Sequence, residues 1–145
     1  MTNYLLSIQE SVRRSPEFQH LLDIKEDSIE ITGLAGSLYS FVAGELWCDR
    51  ESTFLVVAPN QRSAEYIRDD LSVMYGEEVV GYFPRRETHG RGRYFRATSE
   101  EFRIDSLEKI LRNEPAIIVA EHEALSDAII ERGRFEQRTL EITPG

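Results

Sequence analysis

Cysteine is nearly absent from this chain. Cys48 is the sole thiol in 145 residues, so no intrachain disulfide can form. A single cysteine also points to a reducing, cytosolic setting. No stretch approaches the roughly 18 consecutive apolar residues of a membrane span, and no basic segment leads into an apolar run at the N-terminus. The sequence therefore reads as neither secreted nor membrane-spanning, and as cytoplasmic. Histidine is scarce as well: His20, His89 and His122 lie far apart without ligand spacing, which gives no metal site. Positive charge is in short supply, and the net charge of −9 argues against a surface that grips nucleic acid throughout.

What is present suits one globular domain. A chain of this length buries about two-thirds of its unfolded surface and needs no disulfide or metal staple. Thirty per cent of the residues are charged, unevenly spread. Arg85, Arg86, Arg91, Arg93 and Arg96 face the single acid Glu87 within one short segment. With His89 neutral that segment carries +4, which leaves −13 for the rest of a chain whose total is −9. Such a segment, interleaved with Tyr94 and Phe95, is a possible interaction loop with three readings. Its arginines pair with the domain's own acids, dock on another part of a larger protein, or touch DNA phosphates.

The hydrophobic pattern predicts an α/β fold. Asn3–Arg14 reads as a short helix, and Ser15-Pro16 restarts the chain as N-cap and first helical residue. These form a helical lead-in over residues 1–27. From Ser28 short strands alternate with helices. Strands are expected at Ser28–Thr32, Thr53–Ala58, Val79–Phe83, Ala116–Ala120 and Phe135–Ile142. Between them, Leu38, Phe41, Val42 and Leu46 have helical spacing. So do Ala64, Ile67, Leu71 and Met74 behind the cap Asn60. Thr98 and Glu101 form a capping-box pattern ahead of Phe102, Leu107, Ile110 and Leu111. A further helix is expected around Ala124–Glu131, and Pro84–Ala97 fits neither period. Residues 28–145 thus predict a mostly parallel sheet flanked by helices, joined by right-handed crossovers. Cys48, beside Trp47 in an apolar helical stretch, reads as core filler.

Ligands of open parallel sheets bind where strand ends meet helix N-termini. The first such junction is Gly33-Leu34-Ala35-Gly36-Ser37-Leu38-Tyr39-Ser40. A working P-loop has the form G-x-x-x-x-G-K-[ST]: glycines let backbone N–H groups surround phosphates, lysine neutralises them, and the hydroxyl ligates Mg²⁺. Here Gly33 opens the loop and Ser40 closes it, but Leu38 stands at the second glycine position and Tyr39 at the lysine position. Losing one charge-assisted contact costs about 1.5–3 kcal/mol of binding, and the loss of transition-state stabilisation costs catalysis more. The loop, including Gly36 and Ser37, is a vestigial P-loop or a plain structural turn. Glu121-His122-Glu123 reads as a polar helix start rather than a Walker B element. Asp69-Asp70 points about 100° apart on its helix, which suits a solvated face better than an acid/base pair. No catalytic residue is expected.

The order of motifs resembles the first domain of helicase-like excision-repair proteins, the family of the excinuclease B component and the transcription-repair coupling factor. Ile31-Thr32-Gly33-Leu34-Ala35-Gly36-Ser37 resembles the coupling factor's degenerate P-loop. Leu55-Val56-Val57-Ala58-Pro59-Asn60, with Ala64-Glu65 and Asp69-Asp70-Leu71, is similar to the family's next strand and helix. Phe83-Pro84-Arg85-Arg86-Glu87-Thr88 is the most specific likeness, matching a Phe-Pro-x-x-Glu-Thr segment. Ile104–Leu111, Ile117-Ile118-Val119 and Ala124-Leu125 continue it in order, so the resemblance spans about Ser28 to the end. The family follows its Glu-Thr with a tyrosine- and proline-containing stretch, where this chain has His89-Gly90-Arg91-Gly92-Arg93-Tyr94-Phe95-Arg96. Surface contacts of that loop are therefore not carried over.

The resemblance implies a non-catalytic scaffold within a larger ATP-dependent DNA translocase that removes stalled RNA polymerase and recruits nucleotide excision repair proteins. It implies no cofactor for this piece, and ATP and Mg²⁺ for the parent protein. The implied partners are the parent's other domains. The excinuclease A component would be reached indirectly through a second domain expected after Gly145, and RNA polymerase and DNA through distant parts. The turn-like Thr143-Pro144-Gly145 suits a domain boundary. Two other readings stand beside it: a weak ATP-binding module using loop backbone amides, and a free-standing α/β adaptor.

Overall fold

The computed structural model describes residues 2–86, 93–129 and 131–136. Two helices come first, α1 (Thr2–Arg14) and α2 (Pro16–Asp23). Ser15 joins them as its residue type demands: its side chain accepts the Phe18 N–H at 3.2 Å and donates to the Val12 carbonyl at 2.9 Å, with Pro16 in the first turn of α2. Helix α3 (Leu38–Arg50) leads to strand β1 (Phe54–Ala58), then α4 (Gln61–Tyr75) and β2 (Val80–Phe83). Helix α5 (Arg93–Leu111), strand β3 (Ile117–Glu121), a 3-10 turn (His122–Ser126) and α6 (Arg132–Glu136) complete the order. Asn60 caps α4 through a 2.9 Å bond from the Ser63 N–H.

Among the described residues the sheet has three parallel strands in the order β1-β3-β2. The chain crosses from β1 to β2 through α4 and returns to the middle through α5. Because the lateral step reverses, crossovers of one hand put the two helices on opposite faces. Alternate strand residues divide accordingly. Val80, Tyr82, Ile117 and Val119 meet Ala64 and Leu71 of α4, with Trp47 and Tyr75 against them. Phe83, Ile118 and Ala120 meet Leu107 of α5 and Ala124 of the 3-10 turn. Helix α5 approaches closely at Gly81, where a Cβ would lie 2.8 Å from both Ile118 Cδ1 and Ser106 Oγ.

Several expectations are corrected. Residues 28–32 form no strand: the segment runs beside the N-terminal helices and α3, where Ile31 lines a groove, and Ile29 and Ile31 are exposed. The run at 53–58 forms β1, but only the side bearing Val56 and Ala58 joins a core, and Leu55 and Val57 on the opposite side are exposed. Helix α5 begins at Arg93, so Thr98 lies inside it rather than at its N-cap. The face that α5 turns to the sheet carries Arg103, Ser106 and Lys109, whereas Phe102, Ile104 and Ile110 are exposed. In place of the helix expected around 124–131, a 3-10 turn ends at Ser126 and Asp127 follows it. There the Asp127 carboxylate accepts the Arg86 N–H at 2.8 Å and Arg103 Nη1 at 3.1 Å, which fixes extended backbone. Phe135 lies in α6 rather than in a strand, and residues 137–142 of that expected strand lie outside the described residues.

Candidate functional site

The glycine turn is built on backbone conformation. Gly33 and Gly36 have φ of +80° and +55°, the left-handed region that glycine enters at least cost. A Cβ on either would meet nothing within 4 Å, so conformation rather than close approach calls for glycine. The Leu38 N–H closes the turn onto the Ala35 carbonyl at 3.2 Å, and Phe41 N–H onto Ser37 at 3.1 Å. Ser37 itself makes no side-chain cap bond. No strand precedes the turn, so it hangs from the irregular segment after α2 rather than from a sheet edge.

At the two positions that depart from a working P-loop, Leu38 and Tyr39 are exposed, Tyr39 by 52%. Ser40, the position that would hold Mg²⁺, is fully buried and donates its hydroxyl to Asp70 Oδ2 at 3.2 Å. Ser40 thus faces the α3–α4 interface, not the turn. Asp69 and Asp70 divide their roles as their helical positions require. Asp69 pairs with Arg68 in solvent, while Asp70 holds Ser40.

The arginine segment is seen in part. Arg85 donates to Glu123 at 2.6 Å, and Arg86 lies 3.2 Å from Glu100. These two arginines pair with the domain's own acids. Arg93 and Arg96 lie in the first turns of α5, and Arg91 falls outside the described residues.

Sequence reasoning passed over one buried carboxylate and took a second, Glu121, for the start of a polar helix, whereas it is the buried last residue of β3. Glu45 of α3, with a side chain shielded completely from solvent, accepts from Arg13 Nε of α1 and from the Tyr75 hydroxyl of α4 at 2.8 Å. One acid thereby ties three helices. A signal did exist, because Glu45 falls on the stripe of Leu38, Phe41, Val42 and Leu46, where an acid must be paired to be buried. Burial pushes the Tyr75 hydroxyl up, with Glu45 adding to the effect. Burial likewise raises the neighbouring half-buried Cys48 thiol, which suits its reading as filler rather than nucleophile.

The second acid is Glu121, at the end of β3. It is buried and accepts the Tyr82 hydroxyl at 2.9 Å. Burial, then the Glu121 hydrogen bond, hold that hydroxyl above its ordinary range. Around the pair lies a cavity of about 170 Å³, bounded also by Glu65, Arg68 and Phe102. Arg68 stands 5.0 Å from the Tyr82 ring centre and 5.7 Å from that of Phe102, so a cation already covers the aromatic faces. His122 and Glu123 point outward and are exposed. Among the described residues no three His, Cys, Asp or Glu side chains gather as a metal site. No helix among them is long and apolar enough to cross a membrane.

Comparison with protein-family models, curated proteins and solved structures returns no match. The loop and its surroundings therefore have to be read from their own chemistry.

Proposed function

We propose that this chain is a non-catalytic scaffold module of a transcription-repair coupling factor. Its degenerate P-loop and helicase-like α/β layout would serve the architecture of a cytoplasmic DNA translocase rather than its motor. The observation that carries the non-catalytic part is the Ser40–Asp70 bond. A hydroxyl committed to a carboxylate inside an interhelical contact has no geometry for Mg²⁺, and exposed Tyr39 brings no ammonium to phosphate. The family part rests on the ordered motifs from Gly33 to Leu125, above all Phe83-Pro84-Arg85-Arg86-Glu87-Thr88. The excinuclease A component, RNA polymerase and DNA would then be partners of the parent protein through its other domains.

Two experiments separate these parts. Calorimetric titration with ATP and Mg²⁺ should give no heat of binding for the native chain. Low-micromolar affinity would instead make it a nucleotide-binding module. A chimaera in which this chain replaces the first-domain segment of a coupling factor should retain ATP turnover and release of stalled polymerase. Loss of both, from a chimaera that folds, would point to an adaptor unrelated to repair.

A further inference from the structure

An open apolar groove of about 510 Å³ lies between the N-terminal helices, the segment entering the glycine turn, and α3. Phe18, buried, forms its floor; Val12, Leu21 and Val42 are half-buried; Ile8 and Leu38 stand exposed at its margin. Leu38 is the residue that displaces the second P-loop glycine, so the side chain that spoils a phosphate site supplies a wall of this groove. Ile31, exposed on the entering segment, lines it too.

The charge beside the groove is predominantly acidic. Glu17 lines it, and Leu21 and Ile31, both lining residues, bracket a stretch that carries Asp23, Glu26, Asp27 and Glu30. Those five acids stand against one base, Lys25, and all five are exposed. None of them joins an ion pair among the described residues. The nearby arginines are already engaged, Arg13 with Glu45 and Arg14 with Glu10.

We propose that this groove docks a basic amphipathic helix of another protein. An apolar channel beside unpaired carboxylates fits a helix with anchors at i, i+3/i+4 and i+7 and lysine or arginine on its flanks. The same carboxylates oppose a second copy of this chain, whose net charge is −9, and an anionic lipid surface. The docking surface does not depend on the coupling-factor reading.

The test uses fluorescein-labelled 18-residue helical peptides and fluorescence anisotropy. One peptide carries leucine at the anchor positions and lysine elsewhere. A second replaces the lysines with glutamate, and a third has the first composition in scrambled order. The lysine peptide should bind at least about tenfold more tightly than either control. Leu38→Asp should weaken it about tenfold although it makes the protein more acidic, which separates docking from general charge attraction. Ile8→Asp, on exposed α1, serves as a second variant if Leu38→Asp fails to fold. Glu17→Lys with Glu30→Lys should weaken binding several-fold at low salt, with the difference fading near 1 M. Equal binding of the scrambled or glutamate peptide would overturn the proposal. So would indifference to both aspartate variants, or self-association abolished by Leu38→Asp.

Discussion

The Arg13–Glu45 bridge makes a prediction in which the two partners are not equivalent. The Arg13 side chain is 57% exposed and that of Glu45 is 0% exposed. Replacing Arg13 by alanine strands a carboxylate in the interior with the Tyr75 hydroxyl as its remaining donor. Breaking a fully buried pair from one side costs about 3–5 kcal/mol; solvent around Arg13 lowers this to about 2–3 kcal/mol. Glu45→Gln removes the charge, keeps an oxygen for Tyr75 and lets Arg13 return to water, for about 1 kcal/mol. At about 2–4 °C per kcal/mol for a chain of this size, Arg13→Ala should lower Tm by roughly 4–12 °C and Glu45→Gln by roughly 2–4 °C. Adding Arg13→Ala to Glu45→Gln should cost little more, since no buried charge is left behind. Thermal unfolding followed by circular dichroism at pH 7 gives the Tm shifts of all three variants, and urea unfolding their free energies. Equal losses for the two single variants, or a larger loss for Glu45→Gln, would refute the argument from unequal burial.

Alkaline pH should destabilise the fold. Tyr75, Tyr82 and Cys48 are all raised in the native state, chiefly by burial, so the folded chain holds these protons more tightly than the unfolded one. Their contribution is complete below the unfolded values of about 8.5 for cysteine and about 10 for tyrosine, and falls as pH rises above them. Urea midpoints at pH 8 and 10.5 should show the decline, and Tyr75→Phe with Tyr82→Phe should flatten it; a midpoint that climbs over this range would contradict the assignment. Ser40→Ala should cost about 1 kcal/mol in urea unfolding while leaving the response to ATP unchanged, because its hydroxyl serves Asp70. Glu51 ends α3 at φ +47° and is exposed, so Glu51→Gly should stabilise the chain by about 1 kcal/mol, visible as a higher urea midpoint.

The parts of the fold legible in the sequence were those with a strong local signature. Ser15-Pro16 and Asn60 cap as their residues favour, and the apolar runs expected at 53–58, 79–83 and 116–120 form strands at 54–58, 80–83 and 117–121. Failures occurred where a tertiary partner decided the outcome. The 28–32 segment has strand-like alternation, but Ile31 and Thr32 line a groove with the N-terminal helices and α3 instead of joining the sheet. Asp127 gave up helix for bonds to Arg86 and Arg103, partners distant in sequence. On α5 Leu107 meets the sheet as its spacing suggests, but Ile104 and Ile110 point away because Gly81 admits Ser106 there and Arg103 reaches the Pro84 carbonyl at 2.6 Å. At the candidate site, the shape of the turn was legible from Gly33 and Gly36. The burial of Ser40 was not, because it depends on Asp70, thirty residues away.

The strand order β1-β3-β2 also sets a timetable. The central strand is the last of the three to leave the ribosome, and the outer two cannot pair with each other in its absence. Phe54 must wait for Ile117, which at about 5–20 residues per second of synthesis is roughly 3–13 s. Throughout that interval the nascent chain holds β1 as an unpaired apolar strand, with Val56 and Ala58, which the finished core covers, still bare. A messenger that slows translation between these two codons would lengthen the interval and favour aggregation over folding; one that hastens it would do the reverse.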